Sequence, residues 1–185
     1  MKYFPKIKGD RLYLSPMNVN DAETYTRWLN DKHVVENIGG HAKVLTVQEE
    51  KEWLIKNSND YNFAIVLNDK DRLIGNISLM DVDLINQTAE LGIFIGEQDD
   101  RNKGYGKEAI KLILDYGFNT LNLNNIMLKV YSFNEKAIKT YKKVGFKTFG
   151  VRRECRYRDG LVYDTVYMDV LKKEFNEIED FIFIP

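Results

Sequence analysis

The chain has 185 residues, 44% hydrophobic and 30% charged, and this predicts one globular domain, over residues 1–185, that can bury a sizeable core. Its 27 Lys and Arg nearly balance its 28 Asp and Glu, and the formal net charge of −1 predicts no nucleic-acid partner and no membrane partner. The single cysteine, Cys155, excludes an internal disulfide, and the lack of a signal peptide or an apolar spanning stretch predicts a cytoplasmic protein.

The first third of the chain predicts one strand and two helices. RLYLSPM, residues 11–17, alternates apolar and polar positions as a half-buried strand does. Asn18 or Asn20 can cap a helix through DAETYTRWLND, and Thr46 with Glu49 forms a capping box ahead of VQEEKEWLIKNS. The predicted apolar anchors of this second helix are Val47, Trp53 and Leu54. Between the helices, the residues around NIGGHAKVL predict an exposed loop.

The rest of the chain changes from consecutive strands to alternating strands and helices. NFAIVLN, LIGNISLMDVD and TAELGIFIG are strand-like runs separated by the turn-forming NDKD and LINQ. The helix KEAIKLILDYGFNTL, the strand NIMLKVYS and the helix NEKAIKTYKKVG follow, and a long hairpin turns at Asp159-Gly160. This order predicts an α/β (α+β) fold with a single mixed, mostly antiparallel twisted sheet of about seven strands and helices on both faces.

The segment RNKGYGKEA, residues 101–109, joins a predicted strand to a predicted helix. Gly104 and Gly106 permit a tight bend and a close backbone approach to a ligand, and the start of a helix favours an anion. Arg101, Lys103 and Lys107 are expected to add mobile positive charge. A phosphate site is therefore one interpretation, and an ordinary glycine-rich turn is the other. The segment lacks both the Gly-Lys-Ser/Thr of a Walker loop and the third glycine of a dinucleotide fingerprint.

A second segment, NEKAIKTYKKVGF, places Asn134, Ala137, Ile138 and Tyr141 along one helical stripe that ends before Gly145. With both segments the chain resembles the GNAT superfamily of N-acetyltransferases. In that family Arg/Gln-x-x-Gly-x-Gly/Ala binds the pyrophosphate of acetyl-CoA, and Asn-x-x-Ala-x-x-x-Tyr-x-x-x-Gly-Phe follows one strand later. The resemblance extends from RLYLSPM to YMDVL. Within it, the opening strand and the closing hairpin are similar to the RimJ/RimL-type branch, which includes protein N-terminal, polyamine and antibiotic acetyltransferases.

The resemblance implies an enzyme that transfers an acetyl group from acetyl-CoA, its co-substrate, to a primary amine without a metal. The acceptor it implies is a protein N-terminus, a polyamine, an amino sugar or another small amine. Tyr141 is the implied general acid for the leaving thiolate, and Asn134 is expected both to cap its helix and to contact the pantetheine arm. The implied cofactor-binding residues are Phe94, Ile95, Arg101, Asn102, Lys103, Gly104, Tyr105, Gly106, Lys107, Asn134, Lys136 and Ala137.

The general base is harder to assign than the acid. Some relatives carry a Glu on the strand that corresponds to NIMLKVYS, where this chain has Lys129. Glu90 is the candidate base here, and Asp81 or Asp83 are alternatives that could act through a water, but all three are equally consistent with surface carboxylates at strand ends. An α-amine with a pKa of about 8 needs less help from a base than a lysine-like amine with a pKa near 10.4. The weak base signal therefore mildly favours an α-amine or an activated amine as the acceptor.

Two other functions stay open, a CoA-binding regulator without catalysis on the same fold and a nucleotide-binding module. His33 and His41 lack nearby Cys or carboxylates at ligand spacing, so they predict solvated loop residues and no metal site. The tail NEIEDFIFIP, residues 176–185, predicts a helix followed by a strand that docks on the domain or on a second subunit. A homodimer is therefore one expectation.

Overall fold

The computed structural model describes residues 2–39, 43–57 and 61–176. The strands in these residues are β1 Ile7–Lys8, β2 Leu12–Pro16, β3 Asn62–Leu67, β4 Arg72–Asp83, β5 Thr88–Ile95, β6 Asn125–Tyr131, β7 Lys147–Arg158 and β8 Leu161–Leu171. The α-helices are α1 Ala22–Leu29, α2 Lys32–Ile38, α3 Val47–Asn57, α4 Tyr105–Asp115, α5 Glu135–Val144 and α6 Lys172–Asn176. No helix among the described residues is long and apolar enough to cross a membrane.

The strands form a sheet in the order β1-β2-β3-β4-β5-β6-β8-β7. The pairs β1–β2, β2–β3, β3–β4, β6–β8 and β7–β8 are antiparallel, whereas β5 and β6 are parallel from Thr88 opposite Asn125 to Glu90 opposite Met127. The predicted mixed, mostly antiparallel α/β fold is confirmed. The eight strands in the described residues exceed the predicted seven by β1, whose two residues are too few to show an alternating pattern.

The chain divides into two compact units, each with its own buried apolar residues. Unit 1 comprises Met1–Met80 and Gly92–Ile113, and unit 2 comprises Asp81–Leu91 and Leu114–Pro185. A core cluster in unit 1 includes Tyr3, Tyr13, Tyr25, Trp28, Leu54 and Val66. Buried residues of unit 2 include Phe118, Ile126, Leu128, Phe146, Met168 and Phe175. The single domain over residues 1–185 stays a prediction.

Helix α1 buries the face that its sequence period predicts, since Ala22, Tyr25 and Trp28 are at most 2% exposed. The side-chain cap predicted for this helix, Asn18 or Asn20, does not lie at the start of α1. The side chain of Asn18 accepts a hydrogen bond from the amide of Asn20 (2.9 Å) and so caps a short 3₁₀ turn, Val19–Asp21, ahead of α1. The helix itself starts without a side-chain cap because the 3₁₀ turn leads directly into it.

Helix α2 lies between the first two predicted helices, where no helix was predicted, and it includes the first two residues of the loop predicted around NIGGHAKVL. Asp31 accepts a hydrogen bond from the amide of His33 (2.9 Å), and Gly39, with φ of 88°, ends the helix. The signals were present in the sequence, but seven residues are too few for a clear helical period. His33 therefore lies in the first turn of a helix and is exposed, whereas His41 lies outside the described residues.

Helix α3 begins with the predicted capping box. The amide of Thr46 donates to Oε2 of Glu49 (2.8 Å), and the amide of Glu49 donates to Oγ1 of Thr46 (3.2 Å). One predicted anchor is wrong, because Trp53 is 44% exposed while Leu54 and Glu50 are buried. A carboxylate on the inward face of a helix runs against the usual pattern and could not be expected from hydrophobic spacing.

The long hairpin is confirmed, with Asp159 (φ 48°) and Gly160 (φ 83°) as its two turn residues between β7 and β8. Two left-handed residues are typical of the tight turn that suits the twist of paired strands. Helix α6 contains Asn176, the first residue of the predicted tail. The remainder of the predicted tail, residues 177–185, lies outside the described residues.

Candidate active site

The turn that leads into α4 has an open helix start. Asn102 (φ 63°) and Gly104 (φ 84°) are both left-handed, and the first backbone bond of α4 runs from the amide of Glu108 to the carbonyl oxygen of Gly104 (3.1 Å). Within the part of the chain that the structure describes, the backbone amides of residues 102–107 have no acceptor. Unpaired amides at the positive end of a helix are a binding site for an anion such as a phosphate.

Arg101 precedes this turn and holds its start in place. Its Nε donates to the carbonyl oxygen of Ile95 (3.1 Å), its Nη2 to that of Gly96 (3.0 Å) and its Nη1 to that of His33 (3.3 Å). The predicted mobile charge is therefore wrong for Arg101, because the planar guanidinium is bound to three carbonyl groups. Its charge still contributes to the potential at the start of α4.

The other predicted residues of this turn keep their side chains near solvent. Lys103 is exposed and Lys107 is partly exposed, and in the described chain neither ammonium group has a partner. Gly106 lies in open surroundings, because a Cβ there would meet nothing within 4 Å. The ring of Tyr105 lies under the guanidinium of Arg11, 5.0 Å from the ring centroid. The two lysines thus remain available to attract an anion.

The two residues predicted to line the cofactor slot, Phe94 and Ile95, end strand β5. The ring of Phe94 packs edge-on against Tyr25 (6.4 Å between centroids) and Trp28 (6.1 Å), in the core cluster of unit 1. The carbonyl oxygen of Ile95 is occupied by Arg101. Contact of either residue with a cofactor stays a prediction.

Helix α5 begins with a side-chain cap. The Oδ1 of Asn134 accepts a hydrogen bond from the amide of Ala137 (3.2 Å), so this amide is already paired within the chain. The predicted stripe agrees with the burial, because Asn134, Ala137, Ile138 and Tyr141 are all partly buried while Lys136 is exposed. The cap confirms one of the two expected roles of Asn134, and its contact with pantetheine stays a prediction.

Tyr141 is partly buried near the end of α5. Its ring lies edge-on to Phe146, with 5.9 Å between centroids, and Gly145, with φ of 106°, ends the helix between them. Burial raises the pKa of Tyr141 to about 12. In the residues described, its hydroxyl has no hydrogen-bond partner. Tyr141 is therefore protonated at neutral pH and able to donate a hydrogen bond or a proton to a bound group.

Glu90, the candidate base, lies inside β5, where it is opposite Met127 of β6. Its Oε2 forms an ion pair with Nζ of Lys129 at 2.7 Å, and the hydrogen bond to Glu90 raises the pKa of Lys129. Lys129, which stands where some family members carry a Glu, thus binds Glu90, the candidate base. The carboxylate has further lone pairs, so Glu90 can still accept a proton from an amine or a water, but in competition with the ammonium group of Lys129.

Asp83, an alternative base, has a structural role in the turn after β4. Its carboxylate accepts hydrogen bonds from the amides of Ile85 (2.9 Å) and Asn86 (2.8 Å) and from the side-chain amide of Asn86 (2.7 Å). These hydrogen bonds, those of Asn86 most of all, lower the pKa of Asp83. A carboxylate so occupied is a poor proton acceptor at neutral pH. Asp81 is exposed and stays an untested alternative.

A cavity of about 420 Å³ in unit 1 carries charges that are largely paired. Three of its cations contact carboxylates: Lys2 contacts Asp21, Arg27 contacts Glu97 and Arg72 contacts Asp100. The start of α4 differs because its donors have no acceptor. Among the described residues, no group of three or more His, Cys, Asp or Glu side chains is placed to hold a metal ion.

The sequence profile described as acetyltransferase (GNAT) domain matches residues 11–147. The chain therefore belongs to the GNAT family, and it is an N-acetyltransferase enzyme. The glycine turn and the capped helix α5 both fall within the matched region, as the resemblance implied.

Individual relatives agree with this assignment. The chain is 29% identical to p20, an uncharacterized N-acetyltransferase of Bacillus licheniformis, over 175 residues that cover 90% of this chain and 96% of p20. It is 26% identical to a GNAT-family acetyltransferase structure from Bacillus anthracis, with a TM-score of 0.79 and coverage of 91% and 99%. It is 25% identical to the spermidine N-acetyltransferase of Vibrio cholerae, solved in complex with CoA and spermine, with a TM-score of 0.83 and coverage of 91% and 100%.

Proposed function

We propose that this protein transfers an acetyl group from acetyl-CoA to a primary amine. The observation that carries the proposal is the start of α4, where the amides of residues 102–107 have no acceptor within the described chain. A pyrophosphate needs several donors and positive charge, and these amides, the helix dipole, Lys103 and Lys107 supply both. The similarity to the Vibrio cholerae enzyme solved with CoA supports the choice of ligand.

The reaction forms a bond between the amine nitrogen and the acetyl carbon and breaks the bond between that carbon and sulfur. The amine loses a proton, and the leaving thiolate gains one. Tyr141 is the proposed donor to the thiolate, because burial keeps its hydroxyl protonated with a pKa of about 12. The same raised pKa makes the phenol a weaker acid, so we expect Tyr141 to work by a short hydrogen bond that transfers its proton late.

The acceptor we propose is an amine that is partly neutral at pH 7, such as an α-amine. Glu90 is held by Lys129 at 2.7 Å, so the residue best placed by sequence to act as a base is engaged. An α-amine with a pKa of about 8 needs little help, whereas a lysine-like amine needs more. The relative YdaF of Bacillus subtilis, 33% identical over 103 residues that cover 56% of each chain, has a name that refers to ribosomal N-acetylation. The cytoplasmic location and the homodimer stay predictions.

A panel of amines assayed for thiol release from acetyl-CoA tests this function. The panel contains peptides with free N-termini, spermidine, an amino sugar and a blocked lysine, each with wild type, Tyr141→Phe and the control Tyr157→Phe on β7. We expect Tyr141→Phe to bind CoA normally but to lose about 100-fold or more in turnover, because a general acid contributes on the order of 10² to 10⁴. CoA binding without thiol release from any amine would instead support a regulator, and unchanged turnover would remove Tyr141 from the mechanism.

A further inference from the structure

We propose that Arg11 is the positioning residue of the anion site at the start of α4, an inference that rests on the acetyl-CoA function proposed above. Arg11 lies between β1 and β2, whereas the glycine turn follows β5, so the two are far apart in the sequence. Both belong to unit 1. Sequence reasoning missed Arg11, because a single arginine ahead of a strand carries no distinctive pattern.

One arginine contacts three residues of the turn and of the first helical turn. The backbone amide and Nε of Arg11 donate to Oε1 and Oε2 of Glu108, both at 2.8 Å. Its Nη1 donates to the carbonyl oxygen of Lys103 at 2.9 Å, and its guanidinium lies 5.0 Å from the ring centroid of Tyr105. A planar fork with several donors can make these contacts together, whereas a lysine has a single ammonium group.

The bond to Lys103 fixes the direction of an amide that the anion site needs. The carbonyl of Lys103 and the amide of Gly104 belong to one planar trans peptide group, so they point in opposite directions. While Arg11 holds the carbonyl, the Gly104 amide is turned away from Arg11 and stays without an acceptor in the described chain. Gly104 also leaves room for the guanidinium, since a Cβ there would lie 3.3 Å from Nη2 of Arg11.

The ion pair between Arg11 and Glu108 also offsets a negative charge at the start of α4. Glu108 is an acidic residue in the first turn of α4, and an unpaired carboxylate there would repel a bound pyrophosphate. Arg11 binds both carboxylate oxygens of Glu108, so the helix start keeps its positive potential. The loss of Arg11 alone therefore removes a positioning contact and exposes a competing negative charge.

The turn between β1 and β2 approaches α4 closely enough to make these contacts. A Cβ on Gly9 would lie 2.9 Å from each of three atoms: Oε1 of Glu108, Cδ1 of Leu112 and the backbone carbonyl oxygen of Leu12 in the same turn. A side chain at position 9 would therefore push Glu108 away from its place beside Arg11. Gly9→Val is a second way to disturb the pair without changing any charge.

The test compares a phosphate-bearing donor with one that lacks phosphates. We would measure the Kd of CoA by calorimetry, and kcat and KM with acetyl-CoA and with S-acetylpantetheine, for Arg11→Gln, Arg11→Lys, Glu108→Gln and the double variant. The matched control is Arg27→Gln, which breaks another arginine–carboxylate pair of unit 1, with Glu97. We expect Arg11→Gln to weaken CoA binding and raise KM for acetyl-CoA about tenfold or more, with kcat and the S-acetylpantetheine kinetics unchanged.

The double variant separates positioning from general stability. The double variant should bind CoA more tightly than Arg11→Gln alone, because the competing charge of Glu108 is gone. Arg11→Lys should retain less than half of the binding free energy that Arg11→Gln loses, because one ammonium group cannot make the same set of contacts. The inference is overturned if Arg11→Gln binds CoA as Arg27→Gln does, or if both donors lose activity equally. If Arg11→Gln does not fold, Gly9→Val must show the same selective rise in KM. A wild-type protein that binds CoA but releases no thiol contradicts the proposed function and leaves the Kd comparison valid.

Discussion

The starts of α4 and α5 are two solutions to the same chemical problem, since every α-helix begins with amides that its own backbone cannot pair. In unit 2, Asn134 closes the start of α5 by accepting a hydrogen bond from the amide of Ala137 at 3.2 Å. In unit 1, Gly104 stands before the first residue of α4 and has no side chain with which to close it. The acidic residue of that first turn, Glu108, is held by Arg11 instead.

The difference fits the proposed function, in which α4 binds the donor and α5 supports Tyr141. A closed start is complete without a ligand, so α5 can serve as a rigid support for Tyr141. An open start leaves its amides to solvent, so they are available to an anion without breaking any bond within the chain. Helix α3 gives a third case, because Thr46 and Glu49 satisfy each other's amides there. Open starts are therefore not the rule in this protein.

The largest expected effect on CoA binding comes from closing the open start with a side chain, in the variant Gly104→Val. Valine is strained at φ of 84°, and its Cβ would lie 3.3 Å from Nη2 of Arg11, so the turn must change its shape. We expect the Kd of CoA to rise about 30-fold, which corresponds to roughly 2 kcal/mol of binding free energy. Calorimetric titration with CoA measures this change.

A matched control exists in the β7–β8 hairpin. Gly160 has nearly the same φ, 83°, and a Cβ there would meet nothing within 4 Å. Gly160→Val should lower the free energy of unfolding by about 1–2 kcal/mol through backbone strain and leave the Kd of CoA unchanged. Equal losses of CoA affinity in both variants would show that strain anywhere in the chain is sufficient, and the special role of the α4 start would be lost.

The sequence predicted what local spacing determines. The capping box at Thr46, the cap at Asn134 and the hairpin turn at Gly160 each depend on residues a few positions apart, and all three are confirmed. The order of strands and helices along the chain followed from the same local patterns. Helix α2 was missed because it is short, although Asp31 before it and Gly39 after it are ordinary helix boundaries.

Contacts of side chains in the candidate site could not be predicted from local spacing, because they join residues that are far apart in the sequence. Arg11 and Glu108 are 97 positions apart, and Arg101 and His33 are 68 positions apart. A charged residue has several chemically equivalent partners in a chain that is 30% charged, so composition cannot select one. The assignment of Arg101 as a mobile charge failed because its guanidinium binds backbone carbonyl groups, which every residue carries and which no side-chain pattern can single out. Glu90 could be named from sequence, but its ion pair with Lys129 depends on the pairing of β5 with β6.

The next expected effect concerns the start of α3, where Glu50 follows the capping box but points inward. Glu50 is 4% exposed, and burial raises its pKa to about 7. The folded state then holds a proton that the unfolded chain has already released between the ordinary pKa of 4.5 and about pH 7. The free energy of unfolding should therefore fall as the pH rises through this range, by up to about 3 kcal/mol from this residue.

Glu50→Gln removes this titration and tests its sign. We expect the variant to be up to about 3 kcal/mol more stable than wild type at pH 8 and nearly equal at pH 4, as measured by urea unfolding at both pH values. Glu52→Gln is the control, because Glu52 is exposed on the same helix and bonds to Gln48. If the two variants have the same pH dependence, burial of Glu50 does not determine the stability of this helix start.

The smallest expected effect comes from opening the closed start of α5 with Asn134→Ala. Loss of the bond to the amide of Ala137 should lower the free energy of unfolding by about 1 kcal/mol, the usual value of such a cap. Asn134→Asp should keep this stability, because a carboxylate also accepts from the helix amides and is favoured by the dipole. Thermal or urea unfolding of the three proteins measures the cap.

The same pair of variants separates the two roles of Asn134. If its side chain also contacts pantetheine, the amide group that donates there is lost in both variants, and KM for acetyl-CoA should rise in Asn134→Asp although its stability is normal. If KM changes only in Asn134→Ala and in proportion to its instability, Asn134 is a cap alone. The start of α5 would then be purely a support for Tyr141, and contact with the donor's phosphate groups would fall entirely to the open start of α4.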